Sequence, residues 1–124
     1  MRTTGLSLIP MAAPTTSPER LSRVLAEGDG FLYLVSMTGI TGDAFSSDAP
    51  WRRVAETARA DGRLPVCVGF GIRGGVDAAA AVTAADGVVV GSAVTKVIME
   101  ATDDADAVRR VSAIVGELRQ GLDG

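Results

Sequence analysis

Histidine is absent from the 124 residues, cysteine occurs once, and aromatic side chains make up only 4% of the chain. Without histidine the chain can supply no Ser-His-Asp or Cys-His pair and no metal site that needs an imidazole. The single cysteine, Cys67, has no internal disulfide partner, and its place in the apolar run PVCVGF gives it the character of a small packed hydrophobe rather than a nucleophile. Runs of basic residues are also missing: 12 Lys and Arg stand interspersed with 15 Asp and Glu, for a net charge of -3. That balance gives no electrostatic footprint for nucleic acid or anionic lipid, and neither is expected as a partner. No segment approaches the ~18 consecutive apolar residues of a membrane span. The N-terminus lacks a basic region followed by an apolar run and a cleavage site, so the expected location is the cytosol.

Hydrophobic residues, by contrast, are plentiful at 47%, enough for the core of a single domain over residues 1–124. Gly5 to Ala12 (GLSLIPMA) reads as a short strand, with Pro10 marking it as an edge strand because proline has no amide hydrogen to donate. In APTTSPERLSRVLAEGDG, Ser17 is placed to cap, Pro18 fits a first helical turn, Leu21, Val24 and Leu25 share a face, and Gly28 ends the helix. Phe31 to Ser36 (FLYLVS) is apolar throughout, as a strand buried on both faces would be, and runs into a Gly-, Ser-, Thr- and Asp-rich loop over 38–49. A helix follows from Pro50, with Trp51, Val54, Ala55 and Ala58 on one stripe and a stop at Asp61-Gly62.

The alternation continues: a strand over Pro65 to Phe70, the turn GIRGG, an alanine-rich helix from about Val76 to Ala85, and a strand over Gly87 to Val90. A short helical turn is expected after Gly91-Ser92. The last helix, from about Asp104 to Gln120, is expected to turn Val108, Val111, Ile114, Val115 and Leu118 inward. Strands separated by helix-length connections must be parallel, with right-handed crossovers, so the class is α/β. Two architectures fit: a small open doubly wound sheet, or four consecutive units of a (βα)8 barrel.

In either architecture ligands collect at the carboxyl ends of the strands, and glycines cluster there. Gly39-Ile40-Thr41-Gly42 follows the second strand, Gly69-Phe70-Gly71 the third, and Gly91-Ser92 the fourth. Phosphate needs convergent backbone N–H donors and close main-chain approach, which glycine permits, and a helix N-terminus adds a favourable dipole. The GFG and GS pair is what the loops after strands seven and eight of a barrel would present. The G-x-G-x-x-G of a dinucleotide site is missing after the first strand. Each glycine could equally serve only its turn, Tyr33 could be a core aromatic, and Ser92 could act as a helix cap.

The runs FLYLVSMTGITG, PVCVGFGI and DGVVVGSAVTKVI, preceded by APTTSPERL, closely resemble the C-terminal half of the tryptophan synthase alpha subunit across essentially the whole chain. The YLVSMTGITG block carries most of the specificity. The resemblance implies half of a (βα)8 TIM-type barrel, built of four parallel strand-helix units. It also implies a lyase family that cleaves indole-3-glycerol phosphate to indole and glyceraldehyde 3-phosphate. Indole then passes to a pyridoxal-phosphate beta subunit, and the alpha chain itself needs no cofactor. Substrate would be met by Tyr33, Thr41, Gly42 and Phe70, and its phosphate by Gly42, Gly69, Gly71, Gly91 and Ser92.

The family's catalytic glutamate and aspartate lie in its N-terminal half, and nothing in this chain matches them. Of the acids present, Glu19, Glu27, Glu56, Asp77 and Glu117 are expected on solvent-facing helix surfaces. Asp61 and Asp86 belong to turns at the opposite end of the strands, and Asp43 sits in a ligand-side loop. No catalytic residue is therefore assigned, and the chain alone is expected to be inactive. Its outer strands would leave unpaired edges, so a homodimer or a separately supplied N-terminal half is expected to complete it. Docking of the beta subunit is in doubt, because most of that surface lies in the absent half. A non-catalytic interaction module is the rival reading. Another phosphate-sugar barrel, such as indole-glycerol-phosphate synthase or ribulose-phosphate epimerase, is disfavoured by TGITG and, for the epimerase, by the lack of histidine ligands.

Overall fold

A computed structural model describes residues 4–36, 45, 49–69 and 71–124. In chain order the elements are β1 (Met11–Ala12), α1 (Pro18–Glu27), β2 (Leu32–Val35), α2 (Trp51–Asp61), β3 (Val66–Gly69), α3 (Gly75–Ala81), β4 (Gly87–Val89), α4 (Ser92–Met99) and α5 (Asp104–Asp123). The strands form one parallel sheet in the order β1-β2-β3-β4, with Met11 beside Tyr33, Tyr33 beside Cys67, and Cys67 beside Gly87.

That order has no reversal, and this separates the two architectures left open by the sequence. Right-handed crossovers between successive neighbours place every helix on the same side of the sheet. A doubly wound sheet reverses its order and covers both faces. Burial agrees with one-sided cover. Leu32, Leu34, Val66 and Val68 are fully buried beneath the helices, whereas Tyr33, Val35 and Cys67, pointing the other way, are only half-buried. The chain is thus a half-barrel, with its core between the sheet and Leu21, Leu25, Trp51, Val54, Ala58, Ala78 and Leu118.

Local signals account for most boundaries. Ser17 accepts from the Arg20 N–H (3.3 Å) with Pro18 opening α1, and Gly28 closes it by donating to the Val24 carbonyl (3.0 Å). Gly62 ends α2 in the left-handed region at φ 76°, where its missing Cβ removes the steric cost. Trp51 is fully buried and stands edge-on to Phe45, ring centroids 6.2 Å apart. Arg52 then ties α2 to α3: it donates to Thr83 Oγ1 (2.6 Å), the Phe45 carbonyl (3.0 Å) and the Ala80 carbonyl (3.1 Å).

Four expectations change. The first strand pairs only at Met11–Ala12, although the preceding segment runs alongside β2, with Leu8 O accepting from Asp29 and Pro10 O from Tyr33. The alanine-rich helix stops at Ala81 rather than Ala85, because Thr83 and Arg52 both donate to the Ala80 carbonyl that a longer helix would use. The turn after Gly91 is a full helix of eight residues. In α5 only Leu118 is buried, while Val108 and Val115 are 66% and 49% exposed. At 100° per residue they point roughly 60–80° away from Leu118, on the flank of the inward stripe.

Two acids expected to face solvent are engaged. Glu117 accepts from the Gly75 N–H at 3.1 Å, and Asp77 accepts from both the backbone N–H and the side chain of Arg73. Asp86 accepts from the Val66 N–H (2.8 Å) and pairs with Arg59 (3.4 Å), at the end of the sheet away from the glycine loops. No helix among the described residues is long and apolar enough to cross a membrane.

Candidate phosphate-binding rim

At the carboxyl ends of the strands lies a hollow of about 290 Å³ lined by Tyr33, Gly71, Ile72, Val89, Gly91 and Ser92. Four of these six, Tyr33, Gly71, Gly91 and Ser92, were named above as candidate site residues, and they come from three separate stretches of the sequence. Ile72 and Val89 were not anticipated. Val89 was accessible from strand parity, since it pairs with Gly69 and so faces the same side of the sheet as Tyr33 and Cys67. Thr41, Gly42, Asp43 and Phe70 lie outside the described residues.

Tyr33 reaches the hollow by lying across its neighbouring strand. A Cβ at Gly69 would stand 2.5 Å from Tyr33 Oη and 2.7 Å from Cζ, so the ring occupies the volume that any side chain at 69 would need. Gly69 is buried beneath that ring rather than lining the hollow, and what it contributes is room for Tyr33. Gly71 sits at φ 85°, the left-handed region, where a side chain would be strained. Gly91 differs: its φ is -118°, and a Cβ there would meet none of the described residues within 4 Å.

Gly91 caps α4, and Ser92 is the first helical residue rather than the cap. The Val94 and Thr95 N–H groups both donate to the Gly91 carbonyl. Helix geometry leaves the N–H groups of Ser92 and Ala93 without an intrahelical acceptor at the edge of the hollow, next to the positive end of the helix dipole. The start of α3, by contrast, is occupied by the Glu117 carboxylate on the Gly75 N–H. An anion therefore has α4, and not α3, as its helix terminus.

None of the lining residues is a carboxylate or a fixed cation. Arg73, beside the rim, pairs with Asp77 at 3.1 Å. Cys67 lies in the layer below with its thiol pushed up, first by burial and then by the Asp86 charge, so it is held protonated. No group of three His, Cys, Asp or Glu that could hold a metal ion occurs among the described residues. The arrangement can hold an anionic, phosphate-like group through backbone donors and present a phenol to whatever that group carries.

The chain is similar to tryptophan synthase alpha chains in sequence and fold. The tryptophan synthase alpha chain of Xylella fastidiosa (strain 9a5c) is 45% identical over 96% of this chain and 44% of its own length. Among solved structures, the alpha subunit of Pyrococcus furiosus tryptophan synthase superposes with a TM-score of 0.78 at 32% identity, covering 96% of this chain and 47% of that one. A Mycobacterium tuberculosis tryptophan synthase structure gives 0.77 at 32% identity, over 98% and 44%. The chain spans less than half the length of the curated relatives it matches. With residues 1–123 matched by the family model for the tryptophan synthase alpha chain, this half-barrel belongs to that family.

Proposed function

We propose that the chain is the phosphate-holding half of a tryptophan synthase alpha-type barrel, acting in tryptophan biosynthesis. It would bind indole-3-glycerol phosphate, or a similar phosphate ester, at the rim formed by Gly71, Gly91 and Ser92, with Tyr33 beside the organic part of the ligand. The observation that carries this reading is the meeting of those residues in one uncharged hollow, over the unsatisfied N–H groups that begin α4. Phe70, Thr41, Gly42 and Gly69 complete the proposed set from the family resemblance, with Gly69 acting through the room it gives Tyr33.

The family's reaction cleaves a carbon–carbon bond and needs an acid and a base. No carboxylate among the described residues lines the hollow, and nothing in the sequence matches the family's catalytic pair, so lyase turnover would depend on carboxylates supplied from elsewhere. A second copy or a separate N-terminal half would cover the open face of the sheet, and a beta subunit would dock mostly through surfaces this chain does not supply. The test is isothermal titration of the purified chain with glycerol 3-phosphate and with indole-3-glycerol phosphate. Saturable binding lost in Ser92→Pro is the expected result. No heat from a folded sample would leave the family relationship as ancestry alone.

A further inference from the structure

The proposed rim draws on two separate stretches of chain: Gly71 and Ile72 arrive in the loop between β3 and α3, and Gly91 and Ser92 at the start of α4. Donors on two stretches hold one phosphate well only if their spacing is fixed to about half an ångström, which calls for support from residues outside the site. α5 packs against both α3 and α4, and so stands behind both stretches. Where α5 meets the start of α3 the two backbones are in close contact. A Cβ at Gly75 would stand 2.8 Å from the Glu117 carbonyl oxygen, and one at Gly121 would overlap the Gly75 carbonyl. Glycine at both positions lets Glu117 come near enough for its Oε1 to accept from the Gly75 N–H at 3.1 Å. A Cβ at Gly74 would stand 2.8 Å from that same oxygen, so the carboxylate fills the notch before α3. Between Ile72 and Gly75, the Arg73 N–H is held by Asp77 at 2.9 Å. The amides of Arg73 and Gly75 are thus pinned to carboxylates, one from α3 itself and one from α5.

Building on the phosphate reading above, we infer that Glu117 is a positioning residue for the rim: from α5 it fixes the loop that carries Gly71 and Ile72 relative to the start of α4. It does not line the hollow, and it acts through the Gly75 N–H. Its reach, and not its charge, is what the rim needs, because a negative charge near an incoming phosphate is by itself unfavourable.

The test is isothermal titration with glycerol 3-phosphate of the parent chain beside Glu117→Ala, Glu117→Gln and Glu117→Asp, at a temperature where Trp51 fluorescence shows each fully folded. Glu117→Ala should weaken binding about fivefold, on the scale of one lost hydrogen bond. Glu117→Gln keeps an acceptor oxygen at the same reach and should stay within about twofold of the parent. Glu117→Asp keeps the charge on a shorter side chain and should bind nearly as weakly as the alanine variant. Should alanine prevent folding, the Gln and Asp variants carry the comparison. Leu118→Val, which loosens α5 from the core and leaves Glu117 in place, is the control: its melting temperature should fall with affinity unchanged. Parent-like affinity in the Ala and Asp variants overturns the inference. So does tighter binding in the Ala and Gln variants, which would mean that Glu117 acts on the phosphate through its charge. An equal loss of affinity in Leu118→Val overturns it too, since any loosening of α5 would then suffice. In each of those cases the parent still binds and the phosphate reading stands. A folded parent that binds nothing overturns that reading, and the positioning role falls with it.

Discussion

The phenol of Tyr33 lies over the bare α-carbon of Gly69 on the adjacent strand, so one side chain reaches the rim only because its neighbour has none. A methyl group at 69 would have to displace the ring of Tyr33 rather than the end of a flexible chain. Gly69→Ala is predicted to destabilise by ~1–3 kcal/mol, the usual cost of overpacking. It should also expel the phenol from the hollow. In a urea double-mutant cycle with Tyr33→Ala, most of that cost should vanish from the double variant, since contacting sites couple. Additive costs would show that the two residues do not compete for the same volume.

Asp106 gives the fold a dependence on acid. It accepts from the Thr102 N–H (3.0 Å) and pairs with Arg110 (2.8 Å) and Arg109 (3.2 Å), and the Thr102 bond followed by the Arg110 bond holds its carboxyl below the usual range. A carboxylate whose folded value is depressed contributes stability that is present above its unfolded value, near ~4, and is lost as pH falls through the folded one. The start of α5 should therefore loosen below about pH 4, within the ordinary carboxylate range. Asp106→Asn should remove that part of the acid dependence. Amide exchange at the start of α5 between pH 5 and pH 2 is the readout, and an unchanged profile in the variant would count against the assignment.

Glu117 supplies from α5 the cap that Gly74 cannot give α3. Its loss in Glu117→Ala should cost ~0.5–2 kcal/mol, the range for a lost N-cap. Glu117→Gln, which keeps an acceptor oxygen, should recover most of it. Thermal melts of the three proteins check this, and equal melting of all three would mean the contact contributes nothing.

Arg52 should resist conservative replacement. It spans Thr83 Oγ1, the Ala80 carbonyl and the Phe45 carbonyl, and its guanidinium lies 4.9 Å from the Trp51 ring centroid. A planar fork can serve several acceptors at once, and an ammonium on a flexible stem cannot hold the same geometry. Arg52→Lys is predicted to lose ~1–2 kcal/mol, about the net value of one or two hydrogen bonds. Urea unfolding followed by Trp51 fluorescence would report it, and a variant as stable as the parent would contradict the bridging role.

What could be read from the sequence follows the range of the interaction. The caps of α1 and the glycine stop of α2 depend on neighbours a few residues away, and each was legible; the alternation of buried Leu32 and Leu34 with half-buried Tyr33 and Val35 was not, because FLYLVS is apolar throughout. The rim was legible in part, because glycine after a strand is a local signal whichever partner it meets. The contact of Glu117 with Gly75 joins residues 42 apart, and no local pattern announces it. Val108 and Val115 mislead for a related reason: periodicity gives the width of an apolar stripe but not which side of it meets this chain's own core. Strand order, too, required the structure, and together with the one-sided burial it bears out the half-barrel that the family resemblance implied.

Gly91 offers the cleanest separation of site from scaffold. Gly71 stands at φ 85° and Gly69 lies under Tyr33, so replacing either disturbs the fold as well as the rim. Gly91 has a negative φ of -118°, and no described residue stands where a side chain would grow. Gly91→Val should cost only ~0.5–1 kcal/mol, the lower part of the range for an unfavourable N-cap residue. Its isopropyl group would nonetheless fill the approach to the Ser92 and Ala93 N–H groups. Glycerol 3-phosphate binding should fall at least tenfold while the urea midpoint shifts only slightly. Undiminished binding would mean that the phosphate is held somewhere other than the start of α4.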